Sequence, residues 1–134
     1  MAPITVAGIV LGTPAFLAPE LVSGQGSFDS RADIYALGCV AFWLLTGRPP
    51  FRAATGVDTL LQVIQKEPVP PTQLNPSAPR DLETIALKCL GKRPEKRYPS
   101  AAALADELGR YLRGEPILAR PVGRLERVGK LIRR

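Results

Sequence analysis

The stretch DIYALGCVAFWLL, Asp33 to Leu45, carries an unbroken apolar run of twelve residues behind a single acid. Ile34, Leu37, Val40, Ala41, Phe42, Leu44 and Leu45 are spread around a 3.6-residue period and leave no polar face. The pattern predicts a helix that is apolar all round and belongs in the middle of a core. Asp29 or Ser30 is placed to cap its start, and Gly47, followed by RPP, stops it after Thr46. Twelve residues fall short of the roughly 20 that a transmembrane helix needs.

Working outward, residues 1–30 are broken by Gly and Pro at short intervals and read as loop, with one turn of helix around Glu20 to Val22. On the other side, VDTLLQVIQ (Val57 to Gln65) places Val57, Leu60, Leu61 and Ile64 on one stripe of a helix. The five prolines of EPVPPTQLNPSAP predict an extended, helix-free connector. A further helix is expected from about Arg80 to Leu90, with Leu82, Ile85, Ala86, Cys89 and Leu90 turned inward. Ser100 caps a last one, whose inward stripe reads as Ala101, Leu104, Ala105, Leu108 and Leu112. No stretch alternates as a strand does, so the fold class is mostly α.

The chain has 134 residues, enough for one core, and a net charge of +6 that is not evenly spread. Residues 110–134 hold eight Arg or Lys against two Glu, and the other 109 residues are neutral, so the basic character belongs to the C-terminal tail. That tail has no aromatic residue after Tyr111 and follows no DNA-binding motif, and no nucleic-acid partner is expected. There is no histidine, and Cys39 and Cys89 sit far apart inside apolar patterns. They read as buried, reduced thiols, with no metal site. The first residues lack the Lys or Arg of a secretory signal.

Four segments, GTPAFLAPE, SRADIYALG, LLTGRPPF and KRPEKRYPSA, occur in the order and approximate spacing of the second half of a eukaryotic-like Ser/Thr protein kinase domain. The chain resembles the bacterial type of that family over nearly its whole length. The resemblance implies the helical subdomain of the kinase C-lobe, without the N-lobe sheet. It divides the chain into an activation segment and substrate-binding loop (1–29), a helical lobe (30–114) and a basic, juxtamembrane-like tail (115–134).

The same resemblance implies roles for individual residues. Gly12, Thr13, Pro14 and Phe16 would belong to the loop against which a peptide substrate lies, with Thr13 beside the substrate hydroxyl. Glu20 would pair with Arg97, joining that loop to the body of the lobe. Asp33 would brace the catalytic loop by accepting its backbone N–H groups. Thr5 would be a phosphorylation site in the activation segment. One departure from the family pattern is Arg93, which stands before Pro94 where an aspartate is usual.

Phosphoryl transfer requires a Gly-rich loop, a phosphate-binding lysine, acidic metal ligands and a catalytic aspartate. No GxGxxG, VAIK-like lysine, HRD or DFG occurs in the 134 residues. The expected catalytic and cofactor-binding residues in this chain are therefore none, with ATP and Mg used by the complete kinase. The chain would supply peptide binding and activation-loop anchoring, and its partners would be a protein or peptide substrate, the kinase N-lobe and the catalytic loop. For the tail the implied partner is an anionic membrane surface, at the inner face of which a cytoplasmic parent kinase would sit. A helical protein-interaction module without catalysis remains the alternative.

Overall fold

A computed structural model of the chain describes residues 16–24 and 29–119. These residues form α1 (Pro19–Ser23), α2 (Ser30–Thr46), α3 (Gly56–Gln65), α4 (Pro71–Leu74), α5 (Arg80–Cys89), a 3-10 turn (Pro94–Lys96) and α6 (Ala101–Leu112). No strand occurs among the described residues.

The central helix is defined by its ends. The Asp29 carboxylate accepts the Arg31 N–H at 2.7 Å, and Gly47, at φ 81°, closes the other end with its N–H on the Trp43 carbonyl. Only glycine takes that left-handed conformation without strain, so the helix stops where the sequence predicts. Inside α2, Gly38 has a different task. A Cβ built there would lie 2.6 Å from the Cβ of Cys89 and 3.2 Å from the Leu90 side chain. The missing side chain is what lets α2 and α5 approach, and this pair forms the largest helix contact of the fold.

Two apolar clusters sit on either side of α2. Tyr35, Cys39 and Phe42 pack with Ala18, Phe51, Val63 and Leu90 in one; Ile34 packs with Ile85, Cys89, Tyr98 and Leu104 in the other. Both thiols are buried and reduced, and burial pushes each up to about 12, which leaves them inert as nucleophiles.

Several faces differ from those the apolar pattern predicts. The central helix is buried only along Ile34, Tyr35, Gly38, Cys39 and Phe42, whereas Leu37, Trp43 and Leu44 are 48%, 50% and 82% exposed. In α3 the stripe Val57, Leu61 and Ile64 faces outward and Thr59 and Val63 face inward. The reason lies in the loop before it. Thr59 Oγ1 accepts the Ala53 N–H at 3.0 Å and Gln62 Oε1 accepts the Arg52 N–H at 3.2 Å, so the polar face is the one that binds neighbouring backbone.

In α6 the inward positions are Leu104 and Glu107, while Ala101, Ala105, Leu108 and Leu112 are exposed. The proline-rich connector is not helix-free, because α4 begins at Pro71, where a missing N–H costs a helix nothing. Glu83 accepts the Thr72 N–H at 2.6 Å, and the Asn75 amide donates to the Leu45 carbonyl at 2.8 Å, pinning that turn to α5 and α2.

Gly38→Ala is expected to lower the unfolding free energy by about 1–3 kcal/mol through overpacking. It does so even though alanine favours a helix interior by about 1 kcal/mol. Urea denaturation measures the difference, and an unchanged or raised midpoint would contradict the close-approach account.

Candidate functional site

Arg97 leaves the 3-10 turn in extended conformation, so its side chain points back under the lobe. There it meets Glu20, from the first turn of α1. Arg97 Nη1 donates to Glu20 Oε2 at 2.9 Å and Nη2 to Oε1 at 2.7 Å, a two-pronged pair whose side chains are 0% and 9% exposed. The remaining donors are used as well. Nε–H reaches the Gly91 carbonyl at 2.7 Å, Nη1 the Arg31 carbonyl at 2.9 Å and Nη2 the Lys92 carbonyl at 3.4 Å. The guanidinium also lies 5.0 Å from the centre of the Tyr35 ring.

A guanidinium has five N–H donors in a fixed plane, and here each has an acceptor. One side chain thereby joins α1, the start of α2 and the loop after α5, segments separated by up to 77 positions in sequence. Burial alone pushes the Glu20 carboxyl up, but the Arg97 hydrogen bonds and charge outweigh it and hold the group below its ordinary value. A lysine offers no such fork.

α1 is built to present Glu20. Pro19 opens the helix, the Ala18 carbonyl accepts from Leu21 and Val22, and Gly24 closes it at φ 72° with its N–H on the Glu20 carbonyl. The loop GTPAFLAP runs straight into this turn. Of the loop residues, Phe16 is described. It is half-buried, and its ring meets Trp43 edge-on with centroids 5.8 Å apart and planes at 83°. Gly12, Thr13, Pro14 and Thr5 lie outside the described residues, as does the tail from Val122 to Arg134.

Asp33 stands in the first turn of α2 and is exposed, with no side-chain hydrogen bond among the described residues. Its position favours the helix dipole. The structure does not bring it to the Glu20 and Arg97 pair. Arg93 turns outward and pairs with Glu95 at 2.8 Å. The loop still closes, since the Arg97 N–H reaches the Pro94 carbonyl at 3.1 Å.

A second buried carboxylate was not singled out in the sequence. Glu107, fully buried on α6, accepts from the Tyr98 hydroxyl at 3.0 Å, Arg110 Nε at 2.9 Å, and the Leu118 and Ala119 amides at 2.8 Å each. Burial pushes it up, and these four donors outweigh that and hold it low. The signal was present in its spacing, three residues after Leu104 and four before Tyr111. The segment 115–119, read as the start of the tail, is thus tied to the helical body, with Ile117 against its core.

Beside these polar joints lies an open apolar groove of about 310 Å3. It runs between Leu37, Val40 and Leu44 of α2, Leu82 and Ile85 of α5, and Leu104 and Leu108 of α6.

The chain matches the protein kinase domain model over residues 5–108. It is 40% identical over 113 residues to the serine/threonine-protein kinase PknB of Mycobacterium tuberculosis, covering 84% of this chain and 18% of that protein. It is also 44% identical over 106 residues to the serine/threonine-protein kinase Pkn1 of Myxococcus xanthus, covering 79% and 15%. The chain therefore spans under a fifth of the length of these relatives.

Removing the guanidinium strands a dry carboxylate, so Arg97→Ala is expected to cost about 3–5 kcal/mol of stability. A double-mutant cycle with Glu20→Gln should show strong coupling, and additive losses would contradict a shared joint. Both Glu20 and Glu107 are held below the ordinary 4.5, so each contributes fully above that pH and loses its contribution as pH falls through its folded value. Stability should be level near neutrality and fall below about pH 4.5, more shallowly in Glu20→Gln; a variant with an undiminished acid slope would contradict this assignment.

Proposed function

The chain belongs to the protein kinase domain family, and from that premise we propose that it supplies the peptide-binding loop and the anchor of the activation segment in a Ser/Thr protein kinase. The observation that carries this reading is the Arg97 and Glu20 joint. It fixes α1, and with it the end of the loop GTPAFLAP, against the body of the lobe. A buried, fully bonded pair at the end of this loop supports its use as a surface for an extended peptide, and such positioning is most of what a kinase contributes besides charge stabilisation. Phe16 on Trp43 adds an apolar contact to the same wall. In this reading Thr13 lies beside the substrate hydroxyl and Thr5 is a modification site.

A complete domain of this family uses ATP with magnesium. The residues here do not fit that pair: among the described residues no three His, Cys, Asp or Glu side chains cluster to hold a metal, and the sequence has no Gly-rich phosphate loop. No step of phosphoryl transfer is assigned to this chain. The apolar groove on α2, α5 and α6 is the surface on which the rest of the lobe would pack, since an exposed apolar patch of this kind marks an interface.

The test is a chimera in which the N-terminal portion of the PknB kinase domain, through its DFG segment, precedes this chain. The chimera is expected to phosphorylate a protein substrate with Mg-ATP, while this chain alone neither does so nor binds the nucleotide. Arg97→Ala in the chimera should lower activity by about ten-fold or more. Anilinonaphthalene sulfonate should fluoresce on the chain alone and much less on the chimera, as the groove is covered. A folded but inactive chimera, or a groove equally open to dye in both, would favour a non-catalytic interaction module.

A further inference from the structure

Separate from the apolar groove, Lys88, Lys92, Arg93 and Lys96 line a concavity of about 400 Å3 in which Glu67 is the one carboxylate. Lys88 comes from α5, Lys92 and Arg93 from the loop after it and Lys96 from the 3-10 turn, so the local fold gathers the cations rather than spreading them. The most telling is Lys92. Its Nζ is shut off from solvent and has no hydrogen-bond acceptor among the described residues. It rests 4.3 Å from the centre of the Phe51 ring, a contact that partly offsets a charge left dry. Burial lowers its pKa, as an unsatisfied ammonium requires. Buried polar groups are nearly always paired, and a lone buried cation lacks an anion. Rotation about the terminal torsions of a lysine is enough to bring such an ammonium into the adjoining space.

A second concavity of about 310 Å3, partly lined by Phe51, adjoins the first at Glu67. Arg48, Arg52 and Lys66 line it, together with the apolar surfaces of Pro49, Pro50 and Val69. The two hollows together make a path with seven basic side chains and a single acidic one. Arg93 is partly neutralised by Glu95, whereas Lys88, Lys92 and Lys96 form no ion pair within the described residues.

We propose that this path binds a phosphorylated, acidic segment of polypeptide, with the phosphomonoester held among Lys88, Lys92 and Lys96 and the flanking acidic residues running over Arg48, Arg52 and Lys66. A phosphomonoester carries close to two charges and three acceptor oxygens, which suits a hollow lined by three lysines, with Lys88 Nζ resting 5.1 Å from the Tyr98 ring centre and Lys92 Nζ against Phe51, better than one carboxylate does. The two hollows share Glu67 and include apolar surfaces among the cations, which fits a chain laid across both better than a free ion. The side chains that line the path are separate from the Glu20 and Arg97 side chains and from the GTPAFLAP loop, although the Lys92 carbonyl accepts from Arg97. The inference goes beyond the kinase reading and stands or falls by itself.

The experiment titrates the 134-residue chain into a dye-labelled peptide carrying one phosphothreonine among glutamates, and into the same peptide with unmodified threonine, followed by fluorescence anisotropy. The phosphopeptide should bind about ten-fold more tightly or better, with inorganic phosphate competing and affinity falling as salt rises. Lys96→Glu, at an exposed position, and Lys92→Met, which keeps a flexible side chain over Phe51, should each weaken the phosphopeptide by about ten-fold while circular dichroism stays native-like. If either variant fails to fold, Arg52→Glu, also exposed, should still weaken it. Deleting residues 120–134 should leave binding in place. Equal affinity for the two peptides, no binding of either, full binding by the folded variants, or loss on deleting the tail would each overturn the proposal. Tighter binding of single-stranded oligothymidine would overturn it in favour of a nucleic-acid surface.

Discussion

A single guanidinium governs the arrangement of this lobe. Arg97 is dry, and a dry cation is tolerable only if every donor finds an acceptor and its charge is matched. Satisfying that demand draws together a carboxylate from α1, a carbonyl from the first turn of α2 and two carbonyls from the loop after α5. The first two are consecutive in sequence, and the third lies some sixty positions further on. Remove the demand and α1, five residues long and capped at its start by no side chain, is left with only the packing of Ala18, Leu21 and Val22 on the apolar cluster. The joint therefore acts through specificity of placement, because a buried ion pair of this kind stabilises little relative to apolar replacements of similar shape.

Around that joint the helices share α2 unequally. One flank is filled by Tyr35, Cys39 and Phe42, another by Ile34 and the α5 contact that Gly38 permits, and the third remains open as the apolar groove. The open flank leaves apolar side chains of α2, α5 and α6 uncovered among the described residues, and the chain spans 18% of the length of its PknB relative.

Helix positions were legible in the sequence because caps and breakers are local: Asp29, Gly47, Ser100 and Gly24 each act within a few residues. The Glu20 and Arg97 partnership was legible only through motif order, since nothing local links positions 20 and 97. Which face of α3 and α6 turns inward was not legible from apolar periodicity. In both helices polar side chains are inward because they bond to backbone from elsewhere: Thr59 and Gln62 to residues 52–53, Glu107 to residues 118–119. An apolar stripe reports what could be covered, and hydrogen bonds to distant backbone decide what is covered. The groove residues Leu37, Val40 and Leu44 make the same point, being apolar and uncovered among the described residues.

Glu107 has a mechanical consequence. After α6 the chain reverses at Gly114, φ 74°, and returns so that the Leu118 and Ala119 amides clasp the Glu107 carboxylate. Whatever follows residue 119 starts from a point fastened to the flank of α6, not from the free end of a helix. A pull on that continuation would meet the two N–H hydrogen bonds to a carboxylate itself held by Tyr98 and Arg110 before it could unwind α6 from its end. Through Tyr98, which adjoins Arg97 in sequence and donates to the same carboxylate, the clasp ties the exit point of the chain to the neighbourhood of the buried joint.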